Sequence, residues 1–191
     1  METSVSLLRR LAGAPTDDDW RQLDDAYRPL LCAWVARARV PASDIEDQVQ
    51  EVLRVVVRKI AEFEWRGKGA FRAWLRKLLA RRLRKYFRKK NRLIVIGGSD
   101  FQRILNELES HDSDLSRLWD REHDQHVVAS LMKRVQHDFP PVTWQAYQRY
   151  ALGGEPAAQV AEVLGLSLNS VLLAKSRVLK RLRQEAAGLV D

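Results

Sequence analysis

Apolar residues recur at helical spacing along almost the whole chain, and that period leaves little room for anything but an all-α fold. Trp20, Leu23, Tyr27, Leu30, Leu31, Trp34, Val35 and Ala38 line one face of one helix. Pro29 predicts a kink inside it and Pro41-Ala42 its end. Ser43-Asp44-Ile45-Glu46 then reads as a capping box, with Ser43 at the N-cap and Glu46 at the third helical position. The helix it opens is expected to bury Ile45, Val49, Val52, Leu53, Val56 and Ile60. Its other side shows Asp47, Gln50, Glu51 and Arg54. Arg66-Gly67-Lys68-Gly69 interrupts helicity. A third helix is expected from about Phe71 to Lys90, its inner stripe Phe71, Trp74, Leu75, Leu78, Leu79, Leu83 and Phe87.

A second apolar periodicity starts at Val128, Leu131, Met132, Val135 and Phe139 and breaks at Pro140-Pro141. Beyond it, helical segments are expected from about Val142 to Ala151, Pro156 to Leu164 and Leu168 to Ala186. The last two are separated by Gly165-Leu166-Ser167, with Val160 and Leu164 packing the first and Val171 and Val178 the second. A tight glycine turn before a basic helix is a helix-turn-helix pattern. The expected architecture is two small helical domains, an N-terminal bundle over residues 1–92 and a helix-turn-helix domain over residues 115–191. An acidic linker over residues 93–114, partly helical, joins them.

Charge is distributed unevenly. Trp65 to Arg92 holds 13 Lys or Arg and no acid, and Val163 to Gln184 holds five more, again with no acid. Since the net charge is +8, the rest of the chain carries −10. Two cationic patches on an anionic body suit a polyanion gripped at two places. In the first patch aromatics (Phe63, Trp65, Phe71, Trp74, Tyr86, Phe87) are interleaved with the cations. Duplex DNA needs only the cations, whereas aromatics stack on unpaired bases at about 1–3 kcal/mol each. Trp65 belongs to no apolar stripe and is the strongest candidate for base contact, while Phe71, Trp74 and Phe87 also fit a core.

Other chemistry finds little support. One cysteine, Cys32, allows neither an internal disulfide nor a cysteine-based zinc site, and it reads as a small core residue. His123-x-x-His126 places two imidazoles on one helical face without further ligands, so surface histidines are expected and a metal site is not. Arg66-Gly-Lys-Gly lacks the length and the Lys-Ser/Thr ending of a phosphate-binding loop. No catalytic residue and no cofactor are expected. No apolar run reaches the ~20 residues of a membrane helix. The segment Met1–Leu11 lacks the pattern of a secretory signal, so a cytoplasmic location is expected.

These residues resemble the extracytoplasmic function (ECF) branch of bacterial RNA polymerase sigma factors. The resemblance rests on Asp44-Ile-Glu-Asp-Gln-Val-Gln-Glu-Val-Leu, on Phe71-Arg-Ala-Trp-Leu-Arg-Lys-Leu-Leu-Ala-Arg and on Val160-Ala-Glu-Val-Leu-Gly-Leu-Ser followed by a basic helix, in that order. It implies that Asp47, Gln50, Glu51 and Arg54 dock on core RNA polymerase. It implies that Trp65, Arg66, Lys68, Phe71, Arg72, Trp74, Lys77, Arg81, Arg82 and Lys85 bind and melt the minus-ten element of promoter DNA. Asn169, Ser170, Leu172, Leu173, Lys175, Ser176, Arg177 and Lys180 would then face the minus-thirty-five element. Relatives are often held silent by an anti-sigma protein, and such a partner is implied here too.

Two positions depart from that family. Arg82 stands where Asn is usual, and Ser170-Val-Leu-Leu-Ala replaces a Thr-Val-Lys/Arg-Ser-Arg pattern. Leu172 and Leu173 leave two uses open, contact with a thymine methyl or with a protein. The alternative for the whole chain is a stand-alone helix-turn-helix regulator.

Overall fold

The computed structural model describes residues 7–64, 69–89, 98–110 and 112–186, with side chains placed except at 98–102. Among these residues there are nine α-helices and no strand: α1 (Leu7–Ala12), α2 (Asp17–Arg37), α3 (Ala42–Lys59), α4 (Ala70–Lys89), α5 (Gly98–Glu109), α6 (Asp114–Val135), α7 (Pro141–Tyr147), α8 (Ala157–Leu164) and α9 (Leu168–Ala186). The described chain forms two compact units that divide between Val127 and Val128, within α6.

In the first unit α2 packs on α3, α3 on α4 and α4 on α5. Helix α1 closes over α2 and the 3₁₀ turn Ile60–Glu62. Its core takes Leu8, Leu11, Leu31, Val35, Val49, Val56, Leu75, Leu79 and Leu83, as the helical spacing requires. Helix α2 runs through Pro29. It starts from a capping box at Thr16, whose Oγ1 accepts from Asp19 N while the Asp19 carboxylate accepts from Thr16 N at 3.0 Å.

The box expected at Ser43 does not form. The N-cap of α3 is Pro41, with no side-chain cap, and Ser43 lies inside the helix. Glu46, needed to complete the box, is paired instead with Arg28 of α2. The helix begins at Ala42, ahead of the position the local sequence favours, and Glu46 is engaged across helices instead.

The expected linker is mostly structure belonging to the first unit. Helix α5 buries Leu105 and Leu108, and the first part of α6 buries Trp119, His123 and Val127. Trp119 meets Trp34 edge-on at 5.2 Å, and its Nε1 donates to the Arg72 carbonyl at 3.2 Å. Arg37 stacks 4.6 Å over the Trp34 ring and reaches both Glu122 oxygens at 2.9 and 3.1 Å. Glu122, on the acidic α6, thus serves to hold an arginine of α2.

His123, expected on the surface, is fully buried, 5.5 Å from the Tyr27 ring. Its Nδ1 lies 2.9 Å from Asp124, and its Nε2 has no hydrogen-bond partner. Burial pushes its pKa below the usual imidazole value and outweighs the opposing pull of Asp124. The unfolded chain, whose histidine titrates near about 6.5, therefore binds the extra proton first as the pH falls. Stability of this unit should decline from about pH 6.5 downward, and His123→Leu should flatten that decline. Urea midpoints measured across this range test it; identical slopes in parent and variant would exclude His123 as the cause.

The second unit folds around two apolar clusters. Ala146, Val160, Ala161, Val171 and Ala174 form one. Val135, Trp144, Tyr147 and Val178 form the other, with Met132 and Phe139 against it. Val128, expected in this core, is exposed. Helix α7 continues into a wider helical turn, Gln148–Leu152, tied down where Arg149 grips Glu155 at 2.7 Å. Gly165 ends α8 in the left-handed region at φ 63°, where a side chain would be strained. Ser167 caps α9, its Oγ accepting from Ser170 N at 3.1 Å. The axes of α8 and α9 turn by 104°, within the range of a helix-turn-helix.

Candidate nucleic-acid interface

Helix α4 carries most of the first cationic patch, and its cations split into two sets. One set is held by the protein. Arg72 pairs with Asp124 at 2.8 Å and Asp120 at 3.5 Å, and Arg84 with Glu109 at 2.7 Å. Arg76 is 1% exposed, donating to the carbonyls of Ser110 and Ser116 at 3.1 and 3.3 Å and facing Asp120 at 3.4 Å. Burial lowers its pKa, with Asp120 opposing. Arg72, expected to hold DNA, is thus bound to the acidic face of α6.

The other set is exposed. Lys77, Arg81, Lys85 and Arg88 follow i, i+4, i+8 and i+11, and Lys89 lies beside them. None of these five has an ion-pair partner among the described residues. They form a single stripe that a phosphate backbone can follow. Arg88 and Lys89 escaped the sequence reading, although their spacing from Arg81 and Lys85 was there to be read.

The aromatics sort in a similar way. Phe71 is 1% exposed, wedged between Tyr27 at 5.4 Å and Phe63 at 5.8 Å, so it has no face left for a base. Trp74 is half-buried, 5.0 Å from Phe63, and lines a cleft of about 640 Å³ together with Lys59, Phe63, Gly69 and Lys77. Trp65, Arg66 and Lys68 lie outside the described residues.

Helix α3 presents the face expected to dock on another protein. Asp47, Gln50 and Arg54 are exposed and Glu51 is half-buried. Arg54 pairs with Glu51, and Gln50 Oε1 accepts from Arg28 Nη2 at 2.9 Å. Trp20, Asp24, Val57 and Arg58 extend this face into a groove of about 510 Å³, residues that the sequence reading had not assigned to it. Arg82 belongs to both faces. It rises from α4, yet its Nε donates to Gln48 Oε1 at 2.9 Å and its Nη1 lies 3.7 Å from Glu51. Cys32 is half-buried near Glu46, and burial raises its thiol pKa, with Arg28 opposing.

In the second unit the candidate residues all lie on the open side of α9. Val171, Ala174 and Val178 face the core, and Asn169, Ser170, Leu172, Leu173, Lys175, Ser176, Arg177 and Lys180 are exposed. Lys175 Nζ sits 5.0 Å over the Tyr150 ring. Arg181 is turned inward to Asp138 at 2.7 Å and to Glu185.

Among the described residues no cluster of His, Cys, Asp and Glu could hold a metal ion. Among the described residues no single helix is long and apolar enough to cross a membrane. A search of the curated proteins found no match. The family model for Sigma-70 region 2 matches residues 23–93, a span that takes in α2 from Leu23 on, all of α3 and α4, the cationic stripe and the groove apart from Trp20. The first unit therefore carries a segment similar to Sigma-70 region 2, a likeness that supports a sigma-70 family factor of the kind involved in promoter recognition and RNA polymerase binding.

Proposed function

We propose that the chain is an ECF-type sigma factor that brings core RNA polymerase to two-part promoters and helps open them. The observation that carries this reading is the pairing of two cationic faces with two separate units. One is the stripe Lys77, Arg81, Lys85, Arg88 on the region 2 fold; the other is the basic helix of a helix-turn-helix. The α3 face, with Asp47, Gln50, Glu51 and Arg54, docks on the polymerase, and the groove beside it receives an apolar side chain of the partner. The stripe on α4 follows the minus-ten backbone. Trp74 at the cleft, together with Trp65, takes bases lifted from the duplex, offsetting an unstacking cost of a few kcal/mol. Helix α9 enters the major groove of the minus-thirty-five element, where Arg177 and Lys180 hold phosphates and Asn169, Ser170 and Ser176 offer hydrogen bonds to base edges. The work is done by binding free energy spent on distorting DNA, with no catalytic residue and no cofactor, in the cytoplasm where the polymerase is.

Size-exclusion chromatography with bacterial core polymerase tests the docking step. The parent chain should co-elute, and the variant with Asp47, Gln50 and Glu51 changed to Ala should elute largely apart. A parent chain that fails to co-elute but gives palindromic footprints on DNA would instead make it a stand-alone helix-turn-helix regulator.

A further inference from the structure

Leu172 and Leu173 are 43% and 42% exposed on the helix proposed above to read DNA. Two adjacent large aliphatic side chains here make an apolar spot on an outward helical face and forgo the burial that favours them. Their setting narrows the choice. Asn169, Leu173, Ser176 and Lys180 recur at i, i+4, i+7 and i+11, and Leu172 lies between Asn169 and Ser176 on the same open side. From Val163 to Gln184 there is no acid, and Arg177 and Lys180 stand exposed beside the leucines. Apolar groups ringed by cations and short polar side chains match the duplex major groove, where the one apolar feature on a base edge is the thymine 5-methyl group. Arginine or lysine here would instead read guanine through O6 and N7, which leucine cannot do.

We propose that Leu172 and Leu173 are specificity-determining residues that read two thymine methyl groups in the upstream promoter element. The inference rests on the assignment of α9 to that element. It makes the preferred duplex thymine-rich where leucine faces it, with guanine read elsewhere or not at all.

The test uses the full chain with core polymerase. Duplexes are selected from a randomised pool, and the selected duplex is then remade with uracil in place of individual thymines, which removes only the 5-methyl group. Two of these replacements should each weaken binding by about fourfold, the value expected for one buried methyl. Leu172→Ala should abolish the thymine–uracil difference at one position and Leu173→Ala at the other; both side chains are exposed, so neither change disturbs the core. Selected duplexes lacking thymine, or a uracil penalty unchanged in both variants, would overturn the inference. So would variants that lose polymerase binding without DNA while keeping the penalty, which would make the leucines a protein-docking surface. A parent chain that selects no duplex overturns the promoter reading along with this one, whereas selection indifferent to uracil overturns this one alone.

Discussion

Changing Arg81 and Lys85 to Glu should abolish promoter opening and leave core polymerase bound. Both side chains are exposed on the outer stripe of α4, and neither has an ion-pair partner among the described residues. Neither therefore contributes to the fold of its unit through a pair that reversal would break. Each charge-assisted hydrogen bond to phosphate is worth about 1.5–3 kcal/mol, so losing two costs at least ~3 kcal/mol, more than a hundredfold. Repulsion from the introduced carboxylates adds to this. The readouts are permanganate reactivity of unpaired thymines at the start region and co-elution with core polymerase. Equal loss of both would overturn the proposed division between a docking face on α3 and a DNA face on α4. Arg82 is the informative contrast. Held by Gln48 and lying near Glu51, it supports the α3 face, so reversing it is expected to weaken docking as well as opening.

Trp119→Ala lowers the stability of the first unit by about 3–5 kcal/mol, the range for deleting a fully buried large aromatic side chain. The loss combines the cavity, the ring contact with Trp34 at 5.2 Å and the hydrogen bond to the Arg72 carbonyl. That is a large share of the ~5–15 kcal/mol available to a domain of this kind. By the same logic a fragment ending at residue 92 should unfold without cooperativity, since Arg76 would lose Ser110, Ser116 and Asp120 and Trp34 would lose Trp119. A fragment ending at residue 127 should unfold in one transition. Urea titrations followed by circular dichroism measure both, and a Trp119→Ala variant within about 1 kcal/mol of the parent would show that α6 only rests on the unit.

Much of the fold was legible in the order of residues. Helices α2, α3, α4, α8 and α9 lie within a few residues of where apolar spacing put them, because a 3.6-residue period is a local property that each segment displays on its own. Gly165 was legible as the turn for a similar reason, a backbone angle that only the local residue type decides. The acid-free runs were equally plain, and so was the character of α9, whose candidate residues all emerge on its open side.

What could not be read was which charges would be used up inside the protein. From the sequence Arg72, Arg81 and Lys85 are three cations in one acid-free run, but Arg72 meets Asp120 and Asp124, about fifty positions further on, and the other two have no ion-pair partner among the described residues. The same long-range pairing moved Glu46 from a cap to Arg28, drew α5 and the start of α6 onto the first unit, and buried His123. Each depends on which helix lies beside which, and no local period encodes that. The sequence by itself determined that this chain is helical, carries two cationic patches and ends in a turn-linked pair of helices. Only tertiary structure decided where the first unit stops and which described cations stay exposed and without an ion-pair partner, because pairing between distant segments depends on their approach in space rather than on their neighbours in the chain.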